Sequence, residues 1–165
     1  MSQRPPRILA IDPGTRYMGY AVLEGTELLY HGVKTLPRRA SPHDSLRAVR
    51  LTVRTIIKHL HPTILALENT FFGKSRRSAL LSVCADEIAA LGRRRGLRVV
   101  RYAPPTIKKF ISGNGRADKQ DVAKMVCLRY PELRAFVGNK RQWKDRFHSN
   151  MFDAIALALL TESRR

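Results

Sequence analysis

The sequence lacks the features that would make this chain a membrane, secreted or zinc protein. It contains no run of about 18 apolar residues, the length that a membrane-spanning helix needs, and Met1 to Arg7 carry no apolar signal-peptide core. These absences predict a soluble, cytoplasmic protein with no membrane partner. The two cysteines, Cys84 and Cys127, have no second Cys or His at ligand spacing, which favours buried free thiols over a disulfide or a zinc site.

Acidic residues are also scarce, since 13 Asp and Glu stand against 31 Lys and Arg and leave a formal net charge of +18. This excess is larger than solubility alone requires of a small domain. It favours a polyanionic partner, of which nucleic acid is the commonest, over a ribosomal-type binding protein or a membrane-surface protein. With 44% of its 165 residues hydrophobic, the chain is large enough for one domain with its own core.

The hydrophobic pattern predicts an α/β domain that begins with an antiparallel meander. The first strand ends at Asp12, and the others are expected over 19–24, 28–34, 64–67 and 97–102. Helices are expected from the Ser41 N-cap to Pro62, over 78–91, 106–111 and 148–161, and from Asp118 onward, with a basic connection over 131–147. The helix between the third and fourth strands favours parallel pairing of the first and fourth strands.

Three acids occupy positions where they could act together. Asp12 and Glu68 end the first and fourth strands, and Asp153 lies on the last helix. If those strands are parallel neighbours, Asp12 and Glu68 emerge at the same edge of the sheet. The chain has no G-x-S-x-G elbow, P-loop or zinc spacing, so the pattern favours a hard divalent cation on oxygen ligands. Two Mg²⁺ ions roughly 4 Å apart would suit phosphodiester hydrolysis, and mutual repulsion should raise the pKa of the carboxylates without metal.

A loop directly after Glu68 combines aromatic and basic side chains. Residues 69–77 contain two phenylalanines and several cations, a combination that stacks on unpaired bases and neutralises phosphates. One phenylalanine is expected to anchor the loop in the core, and Phe71 is expected to be the exposed one. More basic residues flank a glycine turn at 113–115. The candidate nucleic-acid contacts are Phe71, Phe72, Lys74, Arg76, Arg77, Lys108, Lys109, Arg116 and Lys119.

Residues 8–15 with Gly19-Tyr20, residues 66–72 and residues 153–158 form three motifs whose order and spacing are similar to those of a known family. They resemble the RuvC family of bacterial Holliday junction resolvases, in the RNase H-like superfamily. The similarity covers nearly the whole chain, including Gly113-Asn114-Gly115. It implies a single RNase H-like nuclease domain over residues 1–165, with a five-stranded mixed sheet, three strands of it antiparallel, flanked by helices.

The resemblance also implies a function and roles for individual residues. It implies a homodimer that makes Mg²⁺-dependent, symmetric nicks in four-way DNA junctions, with Mn²⁺ as a substitute ion and a branch-migration helicase as a further partner. The helix over 78–91 would supply dimer contacts. The matching positions make Asp12, Glu68 and Asp153 metal ligands, Phe71 the aromatic at the junction centre, and Lys108 and Lys119 the basic residues near the scissile phosphate.

One position departs from the family pattern. The family usually has Asp, and sometimes His, three residues before the last acid, where this chain has Asn150. An amide oxygen coordinates Mg²⁺ but brings no charge and cannot act as a base, so one metal would be held more weakly. Asn150 ranks above His148 as the fourth group. Alternatives to the resolvase are a binding module of the same fold without chemistry, and a nuclease acting on structured RNA or on phage or mobile-element DNA.

Overall fold

The computed structural model describes residues 4–69, 75–137 and 147–165, which contain a single five-stranded sheet. Its strands are β1 (Arg7–Asp12), β2 (Tyr17–Glu24), β3 (Glu27–Thr35), β4 (Ile64–Glu68) and β5 (Arg98–Tyr102). The helices are α1 (Pro42–Leu60), α2 (Arg76–Arg94), α3 (Pro104–Ser112), α4 (Lys119–Arg129) and α5 (Ser149–Ser163), with a 3₁₀ turn over Pro131–Phe136.

The sheet has the order β3-β2-β1-β4-β5, with β1 at its centre. Strands β1, β2 and β3 pair antiparallel, whereas β4 pairs parallel with both β1 and β5. Ile11 lies opposite Leu67 in the β1–β4 pair, so Asp12 and Glu68 each follow the last paired residue of their strand. The predicted parallel pairing is therefore confirmed, and the two acids leave the same edge of the sheet.

Helices cover both faces of the sheet because alternate residues of the central strands are apolar on both sides. Ile8 and Ala10 pack towards α4 and α5, while Leu9 and Ile11 pack towards α1 and α2. On the α5 side, Ala10 lies in register with Ala21 and Ala66, so three small residues line up beneath the helix. This row lets α5, which is buried along most of its length, lie close against the centre of the sheet.

A glycine brings the first turn of α5 into contact with β2. A Cβ at Gly19 would overlap the backbone carbonyl of Asn150, and the nitrogen of Met151 is almost as close. Only glycine permits that approach, which places the start of α5 beside the end of β1. The packing thus delivers Asp153 to the edge of the sheet that carries Asp12 and Glu68.

Most predicted element boundaries agree with the structure, and the differences are local. The Ser41 hydroxyl accepts a hydrogen bond from the Asp44 amide at 3.1 Å, which makes Ser41 the N-cap of α1 as predicted. Strand β2 begins at Tyr17, two residues before the predicted start, because it continues to pair with β3 there. Helix α2 is longer than 78–91 at both ends, and residues 131–136 form a 3₁₀ turn inside the predicted connection.

Two further predictions concern membrane segments and cysteines. Within the described ranges, no helix is both long and apolar enough to cross a membrane. Cys84 and Cys127 are buried free thiols, as predicted, and burial raises the pKa of each.

Candidate active site

Three acids from separate parts of the chain meet at the edge of the sheet formed by the ends of β1 and β4. Asp12 is buried at 8% exposure, Glu68 is partly buried, and the Asp153 side chain is 15% exposed. The carboxylates are close enough for the charges of Glu68 and Asp153 to act on Asp12, and for that of Asp153 to act on Glu68. The predicted convergence of the three acids is present in the fold.

Burial and mutual repulsion make these carboxylates weak acids. Burial raises the pKa of Asp12 well above its usual range, and the charges of Glu68 and Asp153 raise it further. Burial and the charge of Asp153 raise the pKa of Glu68 to about 7, while burial raises that of Asp153. Without a cation, the site therefore retains protons near neutral pH, as expected for carboxylates that need a counter-charge.

Two lysines supply positive charge to the acids. The Lys119 ammonium lies 3.1 Å from Asp153 Oδ2 and 3.4 Å from the Ser149 hydroxyl oxygen. Burial alone would lower the pKa of Lys119, but Asp153, Asp12 and Glu68 outweigh it and raise that pKa. Lys108, on α3, lowers the pKa of Glu68 and Asp153 through its charge, although burial and repulsion dominate at both acids. Both lysines thus act on the acid cluster, and their place near the scissile phosphate stays a prediction.

Asn150 ties the start of α5 to the first residue of β2. Its Nδ2 donates a hydrogen bond to the Tyr17 carbonyl oxygen at 2.8 Å, and its Oδ1 accepts one from Ser149 Oγ at 3.2 Å. A carbonyl oxygen can only accept, so the amide nitrogen must face Tyr17. Gly14 completes the contact because a Cβ there would overlap the same carbonyl and lie 2.7 Å from Asn150 Nδ2.

The alternative fourth group, His148, lies in an aromatic cluster. Its ring centroid is 5.1 Å from that of Phe136 and 4.7 Å from that of Phe147. Burial lowers the pKa of His148, and no acid contributes to that shift. Helix α5 begins at Ser149, directly after His148. The ranking of Asn150 above His148 as the fourth group of the site stays a prediction.

The donor set suits a hard divalent cation, although the side chains are not arranged around one. Among the described residues, no three His, Cys, Asp or Glu side chains form a ready-made metal-binding group. Three carboxylates with raised pKa values and one amide oxygen nevertheless match the oxygen ligands that Mg²⁺ prefers. In this arrangement, the Lys119 ammonium provides the counter-charge for Asp153.

Apart from Lys108 and Lys119, which act on the acids, the candidate nucleic-acid contacts separate into three groups. Phe71, Phe72 and Lys74 lie outside the described residues. Lys109 and Arg116 are exposed, on α3 and on the turn before α4, where the Arg116 amide donates to Asn114 Oδ1 at 2.9 Å. Arg76 and Arg77 are exposed in the first turn of α2 and line a cavity away from the acids.

Sequence reasoning missed three parts of the site. The Ser149 hydroxyl contacts Lys119, the Tyr17 carbonyl holds Asn150, and Gly14 leaves room for that bond. In the sequence, only the position of Ser149 next to Asn150 indicated that Ser149 belongs to the site. The other two depend on backbone positions in space, which residue types alone do not reveal.

The family model described as "Crossover junction endodeoxyribonuclease RuvC" matches residues 8–160. The chain belongs to the RuvC family. Family membership assigns it to the crossover junction endodeoxyribonucleases, which are metal-dependent nucleases, as the motifs indicated. Among curated relatives, the RuvC protein of Bacteroides fragilis is 40% identical over 124 residues, which cover 72% of this chain and 66% of that protein. The RuvC protein of Maricaulis maris is 38% identical over 134 residues, which cover 78% of this chain and 81% of that protein.

Solved structures of RuvC and of a yeast resolvase share the fold. Thermus thermophilus RuvC superposes with a TM-score of 0.71 at 23% identity, covering 93% of this chain and 91% of that one. The same protein in complex with a Holliday junction substrate gives a TM-score of 0.73 at 20% identity, covering 93% and 90%. The yeast mitochondrial Holliday junction resolvase Ydc2 gives a TM-score of 0.64 at 13% identity, covering 95% of this chain and 78% of that one. The expected RNase H-like fold of the RuvC family is confirmed.

Proposed function

We propose that this chain resolves four-way DNA junctions by paired symmetric nicks, with Asp12, Glu68 and Asp153 holding two Mg²⁺ ions that Mn²⁺ can replace. The observation that carries the proposal is the meeting of these three carboxylates, one buried and two partly buried, at one edge of the sheet. Their raised pKa values describe a site that is short of positive charge, and divalent cations would supply that charge.

The protein side chains have separate roles in this proposal. Asp12, Glu68 and Asp153 would hold the divalent cations, which would supply a water nucleophile at neutral pH and offset charge on the leaving oxygen. Asp12 and Glu68 are held by the ends of two neighbouring strands, so their positions are fixed by the sheet. Lys108 and Lys119 place ammonium groups beside the acids, where they would stabilise the negative charge that develops on the scissile phosphate.

Asn150 has a positioning role here and a weaker role as a ligand. Its amide nitrogen is committed to the Tyr17 carbonyl, which leaves only Oδ1 for a cation. An aspartate would bring a full negative charge but could not donate that hydrogen bond. We therefore propose that this chain needs a higher concentration of metal than a relative with an acid at this position.

The homodimer is proposed from the outer surface of α2. Ala85 and Ala89 on α2 are buried against the protein's own core. Ala79 and Val83 remain exposed on the same helix, with Val83 at 50% exposure. A dimer contact through α2 would therefore use the Ala79 and Val83 side, and two chains would provide the two sites that symmetric nicking requires. A branch-migration helicase remains an expected partner.

Asn150 also favours a second candidate, a module that binds branched nucleic acid without cutting it. The two functions are separated with a labelled mobile four-way junction and Mg²⁺ or Mn²⁺, analysed on native and denaturing gels. Asp12→Asn tests the acid site, and Glu27→Gln, an exposed acid at the opposite edge of the sheet, is the control. Paired nicks with the wild type and Glu27→Gln, absent with Asp12→Asn, support the enzyme. Retention on the native gel without nicks under either metal supports the binding module.

A further inference from the structure

Four arginines surround a cavity of about 520 Å³ on the α1 and α2 side of the sheet. Arg16 lies on the turn after β1, Arg38 on the loop after β3, and Arg76 and Arg77 on the first turn of α2. No acidic side chain from the described ranges lines the cavity. None of the four arginines forms an ion pair with a described residue.

The backbone holds these arginines together despite their separation in sequence. The Leu36 amide donates a hydrogen bond to the Arg16 carbonyl at 2.7 Å, which joins the loop that carries Arg38 to the turn after β1. Ser75 caps α2 by accepting a hydrogen bond from the Ser78 amide at 3.1 Å, which fixes the turn carrying Arg76 and Arg77. Three chain segments therefore present guanidinium groups to one cavity.

The four arginines that line the cavity favour a negatively charged ligand. Four like charges around one cavity repel each other, and with no acid among the described lining residues that repulsion stays uncompensated. The guanidinium group binds phosphate oxygens through two parallel hydrogen bonds, so arginine suits a phosphate better than lysine does. The positive N-terminal ends of α1 and α2 border the same cavity and add to the preference for negative charge.

The cavity and the acid cluster lie on opposite sides of the same edge of the sheet. Arg16 follows Asp12 along one short turn, but the cavity opens between α1 and α2, whereas Lys119 and Asp153 belong to α4 and α5. We propose that this cavity binds the sugar-phosphate backbone of the junction DNA at a segment away from the scissile phosphate. The proposal rests on the proposed function, because it assigns the cavity to the same substrate.

The test measures junction binding without divalent cation, so that the result does not depend on nicking. Arg38→Gln with Arg77→Gln removes two charges from the cavity. Arg47→Gln with Arg54→Gln removes two charges from the exposed face of α1 and is the matched control. All four side chains are exposed, so both double variants should fold, and their thermal unfolding midpoints check this.

We expect the cavity variant to weaken junction binding at least about tenfold in fluorescence anisotropy, and the control by less than about threefold. Because each lost phosphate contact removes about 0.9 from the slope of log K against log salt, the slope should fall by about 2 in the cavity variant. Equal affinities and equal slopes for the two variants would overturn the proposal.

Two further measurements test whether the cavity is instead a free-anion site and whether DNA binding there depends on catalysis. Calorimetric titration with inorganic phosphate tests for a free-anion site. Phosphate binding that disappears in the cavity variant, combined with unchanged junction affinity, would overturn the backbone assignment. Repeating the anisotropy series in the Asp12→Asn background tests independence from catalysis. A cavity-dependent loss of affinity there supports the DNA contact even if nicking is never observed.

Discussion

Replacing Glu68 with glutamine should stabilise the metal-free protein above neutral pH while removing its activity. Burial and the charge of Asp153 raise the pKa of Glu68 to about 7. The folded protein therefore keeps the Glu68 proton to higher pH than the unfolded chain does. Its stability falls as pH rises from the ordinary pKa of 4.5 to about 7, and the penalty remains above that pH. Glu68→Gln removes this titration.

The size of the effect follows from the two pKa values. The interval between 4.5 and about 7 corresponds to at most about 3 kcal/mol in the free energy of unfolding at pH 8.5. The glutamine amide must still be accommodated in a partly buried site, so we expect a gain of about 1–3 kcal/mol. For a chain of this length, that gain raises the unfolding midpoint by about 3–9 °C.

The assay is denaturant or thermal unfolding in EDTA at pH 5 and pH 8.5. The gain for Glu68→Gln should be small at pH 5, full at pH 8.5, and reduced by Mg²⁺, because the cation stabilises the wild type by binding its folded state. Glu87→Gln is the control, and it should lower the stability at pH 8.5 instead of raising it. Hydrogen bonds from Arg50 and Arg94 lower the pKa of Glu87, so its charged form stabilises the folded protein. A Glu68→Gln protein that is no more stable than the wild type at pH 8.5 would refute the account of a repelling acid cluster.

Three other variants test the surroundings of the acids. Lys119→Met removes the ammonium that lies 3.1 Å from Asp153, so single-turnover nicking should slow at least about 100-fold while junction affinity changes less than about threefold. Asn150→Asp loses the hydrogen bond to the Tyr17 carbonyl, which should lower metal-free stability by about 1–2 kcal/mol in urea titration, and it should lower the Mg²⁺ concentration for half-maximal nicking. Gly19→Ala forces a Cβ into the backbone of Asn150, so unfolding in urea should show a loss of about 2 kcal/mol or more, together with lower activity.

The arrangement of the acids was predictable because it follows from chain topology. A helix between β3 and β4 favours a parallel crossover, and parallel strands bring Asp12 and Glu68 to one edge. Sequence motifs supplied the family and hence the proposal that Asp153 is a metal ligand. Local signals such as the Ser41 cap also sufficed, because a cap depends on residues that are adjacent in sequence.

Contacts between distant backbone segments were not predictable from the pattern. The bond between Asn150 and the Tyr17 carbonyl requires that α5 approach β2 closely, and only the fold shows that Gly14 and Gly19 allow it. The arginine cavity has the same origin, since Arg16 and Arg38 meet Arg77 through loop packing rather than spacing. Side chains that converge from separate loops leave no periodic signal in a single sequence.

The most direct test of the acid site counts Mn²⁺ ions bound per chain by electron paramagnetic resonance, with uncleavable junction DNA present. We expect two bound ions for the wild type and for the Glu27→Gln control, and fewer for Asp12→Asn and Glu68→Gln. Equal Mn²⁺ binding by the wild type and Asp12→Asn would contradict the claim that these carboxylates hold the metals.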